Sequence, residues 1–144
     1  MTFAPEGNES AGLAAVQAMN HQIHFQMANV DGVRKIQILL FTADYHLPPY
    51  IPGFTAETHR KVLAEADWSE NSVVLQLDLD GNRCTASFGT DEEHLTVLDV
   101  ADLLVINPEK VGCMVGTMLG VFATGNGETV ENSASFDYFL HQQN

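Results

Sequence analysis

Residues 112–139 read GCMVGTMLGVFATGNGETVENSASFDYF and predict a strand, a turn and a second extended segment. Residues 111–124 are apolar or small, and Gly112, Gly116 and Gly120 lie on one face of an extended strand. A strand glycine usually marks a place where another backbone or a large ring packs closely. The Gly-Asn-Gly of residues 125–127 supplies the positive φ angles of a turn. Residues 133–140 then resume the alternation of a strand.

Two upstream stretches have the pattern of β-hairpins. Residues 21–27 place Ile23, Phe25 and Met27 on one face, and residues 33–41 return as a strand after a turn at 29–32. Residues 73–88 alternate on both sides of Asp80-Gly81, a type I′ turn signal. A turn at that place predicts three apolar cross-strand pairs: Leu77 with Cys84, Leu75 with Ala86 and Val73 with Phe88.

The other short segments add to the same β pattern. Residues 11–17 have the alanine content of a helix, but their length and the extended run that follows favour a strand. Residues 95–98 predict a short strand, and residues 101–106 fit either a strand or one helical turn. Many short strands with one polar face predict an all-β fold, an antiparallel β-sandwich of the jelly-roll or concanavalin A-like kind, with residues 1–144 as one domain.

Residues 42–60 interrupt this pattern and predict a long loop. Proline removes a ladder donor, so this segment is not expected to be a central strand. A long loop in a compact domain tends to be functional or mobile. As an alternative, residues 55–66 have a capping threonine and fit a short helix. The segment concentrates these prolines and rings: Tyr45, His46, Pro48, Pro49, Tyr50, Pro52, Phe54 and His59.

The composition limits the classes of partner. Six basic residues against nineteen acidic ones give a formal net charge of −13, which repels phosphate backbones and anionic lipids. We therefore expect no nucleic-acid or membrane partner, whereas a neutral sugar is compatible with this charge. Cys84 and Cys113 lie in apolar strand patterns and are expected to be buried free thiols. No signal-peptide or membrane-spanning pattern is present, which predicts a cytoplasmic protein.

Three stretches carry a resemblance to a known family. They are residues 116–127, with the pattern G-x-x-x-G-V-F-A-T-G-N-G followed by ASFDYF at 134–139; residues 3–13, FAPEGNESAGL; and the hairpin at 73–88. Together they resemble the C-terminal β-sandwich domain of glycoside hydrolase family 43, which comprises β-xylosidases and α-L-arabinofuranosidases. The resemblance covers most of the chain. It implies a concanavalin A-like sandwich, and it marks residues 42–60 as an insertion.

The resemblance also implies that catalysis takes place in a different domain. In that family the catalytic acids lie on a separate five-bladed propeller that precedes this domain, and nothing in this sequence matches the propeller. The chain is therefore expected to be a non-catalytic accessory domain, with a catalytic propeller and a xylo-oligosaccharide as its partners and with no cofactor. In the family, a phenylalanine in the loop before the glycine-rich strand helps to close the substrate pocket. Cys113 and Met114 occupy these positions here, so the sequence departs from that pattern.

A second departure concerns the sheet edge. Family domains begin several strands before the segment that matches residues 3–13. We expect the missing strands to leave unpaired backbone and apolar surface at an exposed edge, which a second copy of the chain would cover to give a homodimer.

Several carboxylates are candidates for catalysis, because glycoside hydrolysis needs two carboxyl groups about 5–9.5 Å apart. Each candidate has a structural explanation as hairpin charge, turn solvation or a carboxylate between rings, so we predict no catalytic residue. Residues 78–82 lack the distal glutamate of a calcium loop, and His21 and His24 lie on opposite faces of a strand, so no metal site is expected. The candidates were Asp78 with Asp80, the run Asp91, Glu92 and Glu93, and Asp137.

Aromatic side chains in or beside loops are the candidates for sugar binding. Tyr45, Tyr50, Phe54 and Trp68 are predicted to form a stacking platform, or alternatively to plug the open end of the sandwich. Three functions stay open at this point. They are an accessory domain of a family 43 hydrolase, an autonomous lectin-like carbohydrate-binding module, and a self-associating structural protein without a ligand.

Overall fold

A computed structural model describes residues 1–18, 20–45, 56–106 and 116–142 and shows two antiparallel sheets packed face to face. One sheet has five strands in the order β4-β3-β2-β1-β8, and the other has three in the order β5-β6-β7. The strands are β1 Ser10–Ala18, β2 His21–Val30, β3 Val33–Tyr45, β4 Ala56–Asp67, β5 Val74–Asp80, β6 Arg83–Gly89, β7 Leu95–Asp102 and β8 Met118–Thr124. The predicted all-β sandwich is confirmed.

The β2–β3 hairpin forms as its sequence predicts. Asp31 and Gly32 have φ angles of 52° and 81°, the two positive values of a type I′ turn. Ile23, Phe25 and Met27 point from β2 into the core and are fully buried. The turn and the alternation therefore agree on one register, with Phe25 opposite Ile38.

The β5–β6 hairpin also forms, but its predicted register is wrong by two residues. Leu79 pairs with Cys84, Leu77 with Ala86 and Leu75 with Phe88. Asp80 pairs with Arg83, so the turn is centred on Gly81, with a φ of 55°, and Asn82. A shift of two residues keeps every side chain on its face of the sheet, so alternation cannot detect it.

The segment predicted as a long loop is shorter than expected. β3 continues to Tyr45 and β4 begins at Ala56, so residues 42–45 and 56–60 are strands and the predicted loop bounds are wrong. The alternative helix at 55–66 is also wrong, because β4 pairs with β3 from Tyr45↔Ala56 to Lys35↔Asp67. Pairing with β3 overrides the helix propensity of the Ala, Glu and Lys residues in β4. Residues 46–55 lie outside the described residues.

The C-terminal third differs from its prediction in two ways. β8 and the turn after it are confirmed, with Asn126 and Gly127 at φ angles of 51° and 93°. Residues 133–140, however, form no strand, and only Ser135 makes an isolated bridge, to Thr2. Among the described residues, a Cβ added at Gly116 or Gly120 would meet nothing within 4 Å, so the expected close packing is not found at these two glycines. Gly112 lies outside the described residues.

The core lies between the two sheets and includes the inward face of every central strand. β7 ends at Asp102 and a 3₁₀ turn, Leu103–Ile106, follows, so residues 101–106 contain both a strand end and a helical turn. Cys84 is a buried free thiol as predicted, and burial together with the nearby Asp78 charge raises its pKa to about 11. No helix in the described part of the chain is long and apolar enough to cross a membrane.

Candidate functional site

The outer face of the five-stranded sheet carries a depression of about 440 Å³ around His24, which we call the His24 depression. On the sheet, His24 lies opposite Ala14 of β1, and Ala14 lies opposite Gly120 of β8. Because two adjoining strands present only a methyl group and a hydrogen there, the face is open beside the imidazole. The residues that the argument uses from its lining are Ala14, Gln22, His24, Phe41, Gly120 and Phe122.

Two aromatic rings hold His24 from either side. The imidazole centroid lies 4.7 Å from that of Phe41 on β3 and 4.3 Å from that of Phe122 on β8. Both rings are half-buried and tilted against the imidazole. His24 Nε2 lies within hydrogen-bond distance, 2.7 Å, of Gln22 Oε1. The three rings tie β2, β3 and β8 together across the face.

The imidazole is neutral at ordinary pH. Burial, together with the smaller effect of the Arg60 charge, lowers the pKa of His24 to about 4. A neutral imidazole with one donor and one acceptor nitrogen, between two ring faces, suits an uncharged polar ligand or a polypeptide surface. A neutral imidazole does not act as a general acid at neutral pH. Among the described residues, no carboxyl group lines the depression.

A polar row borders the depression along β2, β3 and β4. Gln26 and Gln37 are 2 % and 3 % exposed although they point to the outer face. The Gln26 amide donates to Gln37 Oε1 at 3.3 Å, and the Gln37 amide donates to Glu65 Oε2 at 2.9 Å. Lys35 Nζ donates to Glu65 Oε1 at 2.7 Å, which completes the row. The buried amides are thereby satisfied, and the open part of the face is the apolar end around His24.

The candidate catalytic carboxylates are all exposed, and one of them, Asp91, holds a turn. Asp91 Oδ1 accepts the backbone N–H groups of Glu93 and His94, each at 3.0 Å. It also lies 2.7 Å from His94 Nδ1, and this bond lowers the pKa of Asp91. Tyr138 donates its hydroxyl to Glu92 at 2.5 Å. Across residues 1–18, 20–45, 56–106 and 116–142, no group of His, Cys, Asp or Glu side chains could hold a metal ion.

Of the residues predicted to bind sugar, the structure describes the side chain of Trp68 alone. Trp68 is half-buried, packs edge-on against Phe88 with ring centroids 5.5 Å apart, and donates its indole N–H to the Ser72 carbonyl at 3.1 Å. Tyr45 ends β3, but its side chain is outside the description, as are Tyr50, Phe54, Cys113 and Met114. A sugar role for these residues stays a prediction.

No direct signal for the His24 depression is present in the sequence. Alternation placed His24 on the polar face of β2 with Gln22 and Gln26, which looked like an ordinary solvated face. Phe41 and Phe122 lie 17 and 98 residues further along the chain from His24 (41 − 24 and 122 − 24), so only the strand order brings them together. An outward-facing histidine on a strand whose neighbours carry outward phenylalanines was the available hint.

Comparison with known proteins matches nearly the whole chain to one family of domains. The family model described as "Beta xylosidase C-terminal Concanavalin A-like domain" matches residues 1–142. A curated relative, a "Xylosidase/arabinosidase" from Butyrivibrio fibrisolvens, is 26 % identical over 144 residues, which cover 99 % of this chain and 25 % of the relative. The chain therefore spans about a quarter of the length of the curated relative that it matches.

Solved structures share the fold. The protein titled "Bacteroides ovatus Xyloglucan PUL GH43B" superposes with a TM-score of 0.70 at 20 % identity, over 91 % of this chain and 23 % of that one. The "GH43 BlXynB protein from Bacillus licheniformis" superposes with a TM-score of 0.71 at 16 % identity, over 91 % of this chain and 24 % of that one. At these identities the likeness supports the shared sandwich architecture.

Proposed function

The chain belongs to the family of β-xylosidase C-terminal concanavalin A-like domains, and from that membership we propose that it is the non-catalytic accessory domain of a xylosidase or arabinosidase. In this proposal the reacting carboxylates belong to a separate catalytic domain of the family 43 type. The accessory domain braces that partner or helps to shape a site for a xylo-oligosaccharide.

One observation carries the proposal. The family match spans residues 1–142, yet the aligned region makes up only 25 % of the curated relative and 23 % and 24 % of the two solved chains. Those proteins therefore hold about three-quarters of their length outside the part that resembles this chain. The exposed Asp91, which holds a turn, and Glu92, which accepts the Tyr138 hydroxyl, are in keeping with chemistry performed elsewhere.

The His24 depression is the surface that we propose for contact with the partner or its sugar. It is apolar at its open end, neutral at its histidine, and bordered by satisfied polar groups. β3 ends at Tyr45 and β8 begins at Met118, and each of these residues is the described strand residue nearest in sequence to one of the two predicted loops. β3 also carries Phe41 and β8 carries Phe122, so each predicted loop is connected to a strand that lines the depression.

A chimera tests the accessory role. This chain replaces the matched segment of the Butyrivibrio fibrisolvens xylosidase/arabinosidase, and hydrolysis of an aryl β-xyloside is measured beside the intact relative and a version lacking the segment. We expect the chimera to retain at least about a tenth of the intact activity, while the deletion loses more than about a hundredfold, differences of about 1.4 and 2.7 kcal/mol in barrier. A chimera that is folded but no more active than the deletion would overturn the proposal.

The lectin-like module is the second candidate, favoured by the ring-lined depression itself. Aromatic faces beside a neutral hydrogen-bonding side chain are the usual elements of a sugar site. Calorimetric titration of the chain with xylose, arabinose and xylotriose tests it. Binding that is lost in Phe122→Ala and kept in Phe139→Ala, an exposed ring outside the depression, would move the proposal to an autonomous module.

A further inference from the structure

Side-chain amides tie the turn after β8 to the segment that enters β1. Asn126 Nδ2 donates to the Asn8 carbonyl at 2.5 Å and to Ser10 Oγ at 3.2 Å. The Asn8 amide donates in turn to Glu128 Oε1 at 2.6 Å. Ser10 and Thr124 form the end pair of the β1–β8 ladder, so these bonds fasten that end. We call this group of contacts the Asn126 clasp.

The clasp depends on an asparagine that precedes a glycine. Asn126-Gly127 is the only Asn-Gly pair in the sequence. Both residues are exposed, and a Cβ added at Gly127 would meet nothing within 4 Å. Among the described residues, the Gly127 N–H has no hydrogen-bond partner. The Gly127 nitrogen therefore lacks the steric and hydrogen-bonding protection that a backbone amide usually has.

This arrangement permits one covalent reaction with water. The Gly127 nitrogen attacks Asn126 Cγ, and the new C–N bond closes a five-membered succinimide ring. The bond between Cγ and Nδ2 breaks, and the Gly127 proton leaves with Nδ2 as ammonia. Water then adds to one of the two ring carbonyls and opens the ring, which gives aspartate or isoaspartate in place of the asparagine.

The product cannot form the same contacts. A carboxylate only accepts hydrogen bonds, so both bonds donated by Asn126 are lost and an oxygen faces the Asn8 carbonyl oxygen. The new negative charge also adds to that of Glu128 on the same turn. Asn126 lines the His24 depression, where no carboxyl group is present among the described lining residues. The reaction would therefore loosen the clasp and change the charge of the depression.

We propose that Asn126 is a modification site, at which spontaneous deamidation releases residues 8–10 from the turn and gives the rim of the His24 depression a negative charge. The site itself stands on the geometry of the turn and on the Asn-Gly chemistry. Only the effect of the new charge on a partner or a sugar rests on the proposed function.

Two further asparagines hold the same segment and serve as internal controls. Asn29 and Asn132 each donate a side-chain amide to a backbone carbonyl within residues 4–6, at 2.8 and 2.6 Å. They are followed by a valine and a serine, whose side chains hinder attack by the next backbone nitrogen. All three asparagines thus make similar contacts, and Asn126 alone has a glycine after it.

The reaction is followed in the full chain at about pH 8 and 37 °C, both folded and unfolded in urea. Digestion at acidic pH and mass spectrometry measure the gain of one mass unit in the peptide that contains each asparagine. In the folded chain, we expect the Asn126 peptide to gain it at least about fivefold faster than the Asn29 and Asn132 peptides. Asn126→Gln should suppress the gain, because attack on glutamine must close a six-membered ring, which is much slower. A folded Asn126 peptide that stays unmodified while the urea-unfolded chain reacts would overturn the proposal.

A pair of substitutions tests the loss of the clasp. Asn126→Asp introduces the product carboxylate without altering the backbone and should lower the midpoint of thermal unfolding by about 3 °C. Asn82→Asp adds the same charge to the β5–β6 turn, where the Asn82 side chain makes no hydrogen bond among the described residues, and should lower it by less. Equal shifts would overturn the release of residues 8–10. Neither measurement uses hydrolysis or a ligand, so failure of this proposal and failure of the accessory role are distinguishable.

Discussion

β2 and β8 belong to the same sheet and have the same alternation, yet their apolar side chains end in different surroundings. Ile23, Phe25 and Met27 of β2 are fully buried, because β2 has a strand on each side and the three-stranded sheet opposite it. Leu119 and Val121 of β8 are more than a third exposed, because no strand in the described part of the second sheet lies opposite them. Alternation sets which face is apolar, and the neighbouring layer sets how much that face stabilises the fold.

The largest difference should come from the same truncation on the two strands. Phe25→Ala empties a site in the closed core and should lower the free energy of unfolding by about 3–5 kcal/mol. Phe122→Ala removes a half-buried ring from the outer face and should cost about 1–2 kcal/mol. Urea unfolding measures both. Equal losses would contradict the distinction between the two strands.

Two glycines extend the comparison to the backbone. A Cβ at Gly12 of β1 would meet the Phe25 carbonyl oxygen and would lie 2.7 Å from Gln26 Cα, so Gly12→Ala should cost about 1–3 kcal/mol. Gly120→Ala meets nothing within 4 Å and should be neutral or stabilising by about 0.5–1 kcal/mol, since alanine restricts the unfolded chain. Thermal unfolding of both variants checks the prediction, and a destabilised Gly120→Ala protein would show that the β8 face is covered.

The pH dependence of the free energy of unfolding reports on His24 of β2, whose ring contacts Phe122 of β8. The pKa of His24 is lowered from 6.5 to about 4 in the folded chain, so the unfolded chain takes up a proton first as the pH falls. The contribution of His24 to stability is therefore fully present above about pH 6.5 and is lost progressively between about pH 6.5 and 4. At pH 5 the free energy of unfolding should be lower by about 1–2 kcal/mol. Burial also lowers the pKa of His21, which adds to the loss in the same direction.

Urea unfolding at pH 7.5 and at pH 5 measures this loss above the ordinary carboxyl range. His24→Gln should reduce the difference between the two values. The same pH difference in His24→Gln and in the original chain would remove the basis for a buried neutral imidazole.

The smallest effect is expected at Val121 of β8, where threonine exchanges one methyl group for a hydroxyl, and Ile23→Thr on β2 is its buried counterpart. Val121→Thr keeps the shape of a side chain that is already 42 % exposed and should change the free energy of unfolding by less than about 0.5 kcal/mol. Ile23→Thr buries a hydroxyl in the closed core and should cost at least about 2 kcal/mol. A Val121→Thr cost that approaches the Ile23→Thr cost would mean that β8 is closed on its inner side.

Most of the fold follows from local sequence. The alternation in β2 and the Asp31-Gly32 turn define one hairpin, and the glycine-containing turn after β8 has the positive φ angles that its sequence predicts. The β5–β6 register was missed, because a shift of two residues preserves both faces of a hairpin. β4 was missed because its composition favours a helix, and only its pairing with β3 makes it a strand.

The candidate site was less accessible to sequence reasoning. The His24 depression requires Ala14, Phe41 and Phe122 to meet on neighbouring strands, and this depends on the order β3-β2-β1-β8, which alternation does not encode. The pairing of Met1 with Val73 likewise joins residues that lie 72 positions apart in the sequence. The family resemblance and the sandwich class were confirmed, because both rest on strands and turns that a local pattern reveals.

The most direct test of the accessory role is turnover by this chain alone. The purified chain is incubated with 4-nitrophenyl β-xyloside and α-L-arabinofuranoside beside its Asp91→Asn and Asp137→Asn variants. The account predicts release of nitrophenol no faster than in buffer for all three proteins, because Asp91 holds a turn, Asp137 is exposed, and the assay contains no partner domain. Steady turnover by the original chain that either substitution abolishes would contradict it and would place a reacting centre within this sandwich.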